Sequence, residues 1–189
     1  MILGGSPMHF HTPRREINPC RQTTYSMEEN LTMSDVTVVN VPTYTVLGMR
    51  KQGHYRDMAQ MLPALCMFAA TRGIQMTGPP IFVMHETTPE EAIAADAAGT
   101  ADIEVALPVA GKARGEGEIT LYVLPGGTMA RIVHKGPYEA CKPTYLKLYA
   151  WIEQNHKKIS GPIREVYLND PREVGPAEIL TEIYAPISG

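Results

Sequence analysis

The sequence lacks several features that would assign it to a common functional class. Its 189 residues carry a net charge of −3, which argues against the basic face that neutralises nucleic-acid phosphates. No apolar run approaches the length of a membrane span, and the first residues lack the basic and apolar segments of a signal peptide. These absences predict a protein that contacts neither nucleic acid nor a membrane directly.

Cysteine is scarce, and the motifs of common cofactor sites are missing. The three cysteines form neither a disulfide framework nor a metal-ligand spacing, so we expect Cys66 and Cys141 to be small buried side chains of a protein in the reducing cytoplasm. The six histidines show no ligand spacing, so no metal is predicted. The sequence has no nucleophile elbow, phosphate-binding glycine loop or dinucleotide fingerprint, so no cofactor is predicted.

The start of the chain differs in composition from the rest. Residues 1–34 are rich in proline, arginine, threonine, asparagine and histidine, and they follow neither a strand period nor a helix period. We predict a flexible N-terminal arm here. Met27 and Met33 lie inside this stretch, so an upstream extension of the natural start is an alternative interpretation.

From residue 35 onward the sequence matches itself at an offset of 83 residues. Gly53-His-Tyr55 falls on Gly136-Pro-Tyr138, and Gly78-Pro79 falls on Gly161-Pro162. The period is too long for a solenoid, so the match predicts two copies of one supersecondary unit. We assign the first repeat to residues 35–109 and the second to residues 118–187.

Each copy is predicted to form a β-α-β-β unit. The helix of the second copy has its apolar residues at helical spacing, namely Tyr145, Leu148, Tyr149 and Ile152. Several strands for each helix, joined by short links, favour an α+β fold in which an antiparallel sheet carries two main helices. The helices then flank a central cleft, which is the usual place for a ligand. Residues 87–100 form the longest insertion, and we predict a loop there.

Four segments in this order resemble the GyrI-like (gyrase-inhibitor-like) small-molecule-binding family. They are His134-Lys-Gly-Pro-Tyr-Glu139, Tyr145-x-x-Leu-Tyr-x-Trp-Ile152, Gly161-Pro-Ile-Arg-Glu-Val-Tyr167 and Thr181-Glu-Ile-Tyr-Ala-Pro-Ile187. The resemblance covers residues 35–187, and the family includes effector-binding domains of bacterial transcription activators. It implies a pseudo-symmetric pair of units, a small aromatic or cationic ligand in the cleft, and a carboxylate deep in that cleft, for which Glu165 is the matching residue.

Glu165 is also a candidate on the residues alone. At the same offset the first copy has Phe82, so one half of the groove has gained a charge. A buried carboxylate without a partner is costly, which suits Glu165 to binding a cation or to general acid–base chemistry. The alternatives are an exposed strand residue, or an ion pair with Arg164 or Arg172.

Aromatic residues near Glu165 in the predicted fold are the further candidates for ligand binding. They are Tyr138, Tyr149, Trp151, Tyr167 and Tyr184. Aromatic rings around a carboxylate bind flat or cationic molecules by stacking and by cation–π contact. For Tyr149, which lies on the helix stripe, and for Trp151 beside it, packing in the core is the alternative.

Two functions follow from these residues. The first is a free-standing sensor or sequestering module that binds a small organic ligand. The second is a hydrolase of a small reactive electrophile, which the resemblance implies because some relatives hydrolyse cyclopropane-bearing compounds; Glu165 would then act with Tyr138, Tyr167 or Tyr184. A protein partner bound through the surface strands or through residues 87–100 is a third, weaker candidate.

Overall fold

Ten strands of one antiparallel sheet and three α-helices form the part of the chain that the computed structural model describes, residues 36–189. The α+β class predicted from the sequence is confirmed. The predicted arm at residues 1–34 lies outside the described residues. The strands are β1 (Thr37–Val41), β2 (Tyr44–Gly53), β3 (Gln75–Met76), β4 (Ile81–Met84), β5 (Ala101–Ala110), β6 (Thr120–Leu124), β7 (Gly127–Lys135), β8 (Lys158–Ile159), β9 (Ile163–Tyr167) and β10 (Leu180–Ser188).

The helices alternate with these strands along the chain. They are α1 (Met58–Thr71), α2 (Pro89–Ala98) and α3 (Lys142–Gln154). Short 3₁₀ turns at Tyr55–Asp57 and Tyr138–Ala140 lead into α1 and α3, and a third turn precedes β10 at Pro176–Glu178. Among residues 36–189, no helix is both long enough and apolar enough to cross a membrane.

The strand order is symmetric, because corresponding strands of the two halves follow one another in the same order from either edge of the sheet. It is β1-β7-β10-β9-β4-β5-β2-β6, with β3 added to β5 and β8 added to β10. If the strands β1–β5 are exchanged for β6–β10, in that order, the result is the same strand order read from the opposite edge. The first strand of each half therefore pairs with the second strand of the other half. That the halves are copies of one sequence unit stays a prediction.

Two short links force the sheet to curl. Five strands separate β6 from β7, so in a flat sheet they would lie about 29 Å apart at about 4.8 Å per strand. Only Pro125 and Gly126 join them, and three Cα–Cα steps span at most about 11 Å. The equivalent link between β1 and β2 packs against this one, because a Cβ on Gly126 would clash with the backbone of Pro42 and Thr43. The sheet edges therefore meet where the links cross.

The outer face of the curled sheet carries the two long helices. The helix α1 buries Leu65 and Ala69 against β2 and β5, whereas α3 buries Leu148 and Ile152 against β7 and β10. Each buried Leu or Ile side chain among them contributes about 1.5–3 kcal/mol relative to an exposed one. The helices thus pack on opposite halves of the sheet, and the central strands β4 and β9 lie between them.

The inner face is buried by the curl of the sheet itself. Its apolar cluster contains no helix residue and is centred on Val46, Val83 and Ala106. Arg164 lies in this interior, only 6% exposed, and its Nη2 donates to the Pro125 carbonyl at the crossing link over 2.7 Å. The alternative in which Arg164 forms an ion pair with Glu165 is excluded, because the two side chains point to opposite faces of β9.

The insertion at residues 87–100 contains a helix, so the loop predicted there is wrong. Thr88 caps α2, since its Oγ1 accepts from the Glu91 amide over 3.1 Å, and Pro89 follows at the first position of the helix. Gly99 ends the helix in the left-handed conformation with φ 68°. These are ordinary start and stop signals, and they were present in the sequence.

Two cysteines lie within the described residues, and both are buried as predicted. Cys141, at the start of α3, is a free thiol. The cytoplasmic location inferred from cysteine usage stays a prediction.

Candidate small-molecule binding site

Glu165 lies in the middle of the sheet on the helix-covered face. It is in β9, where it pairs with Phe82 of β4 on one side and with Ile183 of β10 on the other. Ile183 packs in the same cluster as Leu148 of α3, which fixes the side of the sheet that Glu165 faces. Glu165 is half-buried, on a strand that lies between the two halves of the sheet covered by α1 and α3.

Two tyrosine hydroxyls hold the carboxylate. Tyr145 donates to Oε1 over 2.6 Å, and Tyr167 donates to Oε2 over 2.9 Å. Tyr145 lies in the first turn of α3, and Tyr167 lies two residues along β9 on the same face. Tyr167 also lies 3.2 Å from the Met58 sulfur at the start of α1, so residues of both helices meet over Glu165.

The charge of Glu165 has no cationic partner in the described part of the chain. None of the ion pairs between residues 36 and 189 includes it. Burial, and then the charge of Glu165, raises the pKa of the Tyr145 and Tyr167 hydroxyls well above the usual range. Both tyrosines are therefore neutral hydrogen-bond donors at physiological pH.

Aromatic rings surround this carboxylate. Tyr138 contacts Tyr167 edge to face with ring centroids 5.4 Å apart, and Tyr149 stacks on Tyr145 at 6.1 Å. Burial, and then the charge of Glu165, raises the pKa of Tyr138. The structure thus brings three of the predicted aromatic residues, Tyr138, Tyr149 and Tyr167, to Glu165 or to the tyrosines that bind it.

The other two predicted aromatic residues lie elsewhere. Tyr184 pairs with Arg164 in the sheet register, so its ring is on the inner face, where its hydroxyl donates to Glu182 over 2.6 Å. Trp151 packs against the apolar cluster between α3 and the sheet. The structure does not bring either side chain to Glu165.

Two further tyrosines, Tyr55 and Tyr145, belong to the site although neither was among the predicted ligand-binding residues. Tyr55 contacts Phe82 edge to face with centroids 5.8 Å apart, directly beside Glu165. Tyr55 could have been found, because at the offset of 83 residues it is the counterpart of Tyr138. Tyr145 was assigned only to the helix stripe, although it forms the shortest hydrogen bond to Glu165.

The site offers proton-transfer groups but no ligand set for a metal. Among residues 36–189, no group of three or more His, Cys, Asp or Glu side chains could hold an ion. Burial, followed by the charges of Glu165 and Glu139, raises the pKa of the nearby Cys141 thiol to about 12. The thiol is therefore protonated and a weak nucleophile at neutral pH.

The fold is that of an α+β domain in which a curled antiparallel sheet places a carboxylate between two helices. The family model for the GyrI-like small molecule binding domain matches residues 34–188, so the chain belongs to the GyrI-like family. The resemblance predicted from the sequence is confirmed. No curated protein sequence is significantly similar to the chain.

Solved structures share this fold. The EcmrR C-terminal domain is 22% identical, with a TM-score of 0.72 and coverage of 82% of this chain and 97% of that one; the chain spans 59% of the EcmrR chain solved with DNA. A hydrolase from Listeria innocua is 13% identical, with a TM-score of 0.63 and coverage of 84% and 94%. SAV2435 bound to tetraphenylphosphonium is 12% identical, with a TM-score of 0.50 and coverage of 82% and 94%.

Proposed function

We propose that the chain binds a small organic cation with aromatic groups in the cleft between α1 and α3, with Glu165 as the counter-charge. The observation that carries this proposal is a half-buried carboxylate that two tyrosine hydroxyls hold in place and that no basic side chain of residues 36–189 neutralises. A bound cation would supply the missing charge. The biological role that fits is that of a sensor or a sequestering module.

The physical argument is one of unbalanced charge. Burying an unpaired carboxylate costs free energy. A position with only a structural role is therefore better served by an apolar residue, such as Phe82, which pairs with Glu165 on the neighbouring strand. The tyrosine hydroxyls stabilise the ionised carboxylate without cancelling its charge. The surrounding ring faces add cation–π attraction of about 0.5–2 kcal/mol each for a cation placed over them.

The ligand class is supported by a neighbour of the same fold. SAV2435 was solved with tetraphenylphosphonium, a cation that carries four phenyl rings and no hydrogen-bond donor. Such a molecule can be recognised only through charge, shape and aromatic contact. The Glu165 site offers these three properties, with Tyr138 and Tyr149 as aromatic walls.

Thermal unfolding tests the proposal. Tetraphenylphosphonium is expected to raise the Tm of the wild type, because a ligand that binds only the native state stabilises it by mass action. Glu165→Gln keeps an acceptor for one tyrosine but removes the charge, and its Tm shift is expected to disappear. Glu182→Gln is the matched control, since it removes a tyrosine-bonded carboxylate from the inner face. Equal shifts in wild type and Glu165→Gln contradict the proposal.

Hydrolysis is a second candidate, favoured by one observation. A carboxylate with two hydroxyls at 2.6 and 2.9 Å is an arrangement in which Glu165 acts as general base toward water and a protonated tyrosine acts as donor to a leaving group. Each compound that raises the Tm is to be incubated with the protein and quantified by chromatography. Consumption that Glu165→Gln abolishes supports hydrolysis, and complete recovery of every compound supports binding alone.

A further inference from the structure

A second carboxylate–tyrosine pair lies in the other half of the site. The Tyr55 hydroxyl donates to Oε2 of Glu86 over 2.7 Å, and the Asp102 amide donates to Oε1 over 2.8 Å. Glu86 is half-buried, like Glu165, and none of the ion pairs within residues 36–189 includes it. The site therefore contains two fixed negative charges without cationic partners, one in each half.

The sheet register gives the separation of the two carboxylates. Phe82 of β4 pairs directly with Glu165, and Glu86 lies four residues further along the chain, just past the end of β4 at Met84. Phe82 points to the same side of the sheet as Glu165, and Tyr55 contacts both the Phe82 ring and the Glu86 carboxylate, so Glu86 lies on that side as well. Four residues of strand span about 13 Å, and one strand spacing adds about 4.8 Å at right angles, so the two Cα atoms lie about 14 Å apart.

Aromatic side chains line the path between the two charges. The ring of Tyr55 contacts Phe82 at 5.8 Å on one side, and Tyr149 stacks on Tyr145 at 6.1 Å on the other. Burial raises the pKa of Tyr149, and the charge of Glu90 in α2 raises it further. The α2 end of the path is thus also acidic, and the middle is apolar.

We propose that the ligand of this site is an elongated dication, with one positive end at Glu165, the other at Glu86, and an apolar spacer along Phe82 and Tyr55. This inference rests on the proposed function, because it adds a second charge position to the same site. The oxygens of both carboxylates already accept hydrogen bonds from protein donors. Quaternary ammonium groups, which need charge and aromatic surface but donate no hydrogen bond, fit both ends.

Two probes that differ only in the second charge test the inference. Decyltrimethylammonium has one trimethylammonium group on a ten-carbon chain, and decamethonium has one at each end of the same chain. By isothermal titration calorimetry, decamethonium is expected to bind the wild type at least tenfold more tightly than decyltrimethylammonium. Hexamethonium, with a shorter spacer, is expected to lose this advantage, because its two charged ends lie closer together than the estimated separation of the Glu165 and Glu86 positions.

The variant Glu86→Gln separates recognition from structure. It is expected to lower decamethonium affinity to that of the single cation and to leave decyltrimethylammonium unchanged. Glu118→Gln, in the exposed link between β5 and β6, is the control for loss of one negative charge and is expected to change neither affinity. Equal weakening of both probes in Glu86→Gln would assign Glu86 a structural role and overturn the inference.

The outcomes also distinguish this inference from the proposed function. If tetraphenylphosphonium binds through Glu165 but decamethonium gains nothing over decyltrimethylammonium, the single-cation site stands and the second position is wrong. If no cation binds the wild type at all, the proposed function itself fails. The comparison of the three probes in the wild type needs no variant, so a folding defect in Glu86→Gln leaves the test decisive.

Discussion

One buried glycine lets us predict a large effect from a single methyl group. Gly48 lies in the interior of β2, paired with Ala106 and Thr120. The ring of Tyr122 from β6 lies against it: a Cβ on Gly48 would be 2.6 Å from the ring Cε1 and 2.9 Å from Cζ, and nearer still to the hydroxyl oxygen. That hydroxyl donates to Glu104, a carboxylate that is 7% exposed on the inner face.

Gly48→Ala is therefore expected to destabilise the fold, although strand propensity alone predicts the opposite. Ala in a strand interior is favoured over Gly by about 0.5–1 kcal/mol. Displacing a packed ring costs about 1–3 kcal/mol, and loss of a hydrogen bond to a buried charged group costs about 1.5–3 kcal/mol. The steric and hydrogen-bond costs exceed the propensity gain, so we expect a net loss of about 2–5 kcal/mol in the free energy of unfolding.

Urea unfolding of four proteins measures this effect: wild type, Gly48→Ala, Tyr122→Leu and the double variant. In the Tyr122→Leu background the ring is gone, so Gly48→Ala is expected to be neutral or to stabilise by about 0.5–1 kcal/mol. The difference between the two backgrounds is the coupling of the two positions. If the Gly48→Ala variant with Tyr122 present is at least as stable as wild type, the predicted clash with the tyrosine ring is refuted.

Two further predictions concern pH and helix capping. Burial alone would raise the pKa of Glu104, but hydrogen bonds from His85 and Tyr122 outweigh it and hold that pKa below its usual value. Because the pKa of Glu104 is lower in the folded than in the unfolded state, its ionised form stabilises the fold above about pH 4.3, and this stabilisation is lost as the pH falls through the folded-state pKa. In urea unfolding between pH 7 and pH 3, the free energy of unfolding should therefore fall less steeply for Glu104→Gln than for wild type. Thr88→Ala removes the cap of α2 and should cost about 1 kcal/mol in the same assay, and an unchanged midpoint would show that the cap contributes nothing.

Local sequence patterns predicted the elements that position the site. Prolines at 42 and 125 marked the ends of β1 and β6, since proline cannot donate to a ladder. The spacing from Tyr145 to Ile152 predicted the buried face of α3, and the period of two along β9 placed Glu165 and Tyr167 on one face. These signals are short-range, so they survive without knowledge of the fold.

Long-range pairing was invisible to the same patterns. The strand period of two does not indicate that β1 pairs with β7 of the other half. This pairing between halves creates the crossing links and the curl of the sheet. The inner position of Tyr184 depends on register, because a shift of one residue moves every side chain to the opposite face. The Tyr55–Glu86 contact joins residues 31 apart along the chain and forms only once β4 and α1 pack together.

Calorimetric titration of tetraphenylphosphonium into the wild type and Glu165→Gln tests whether Glu165 is the counter-charge of the ligand. Binding at one site per chain is expected in the wild type. The affinity of the variant is expected to be at least tenfold lower, equivalent to about 1.4 kcal/mol or more for the lost charge. Equal affinity in the two proteins would contradict Glu165 as the counter-charge, and absence of binding to the wild type would contradict a cation site of this kind.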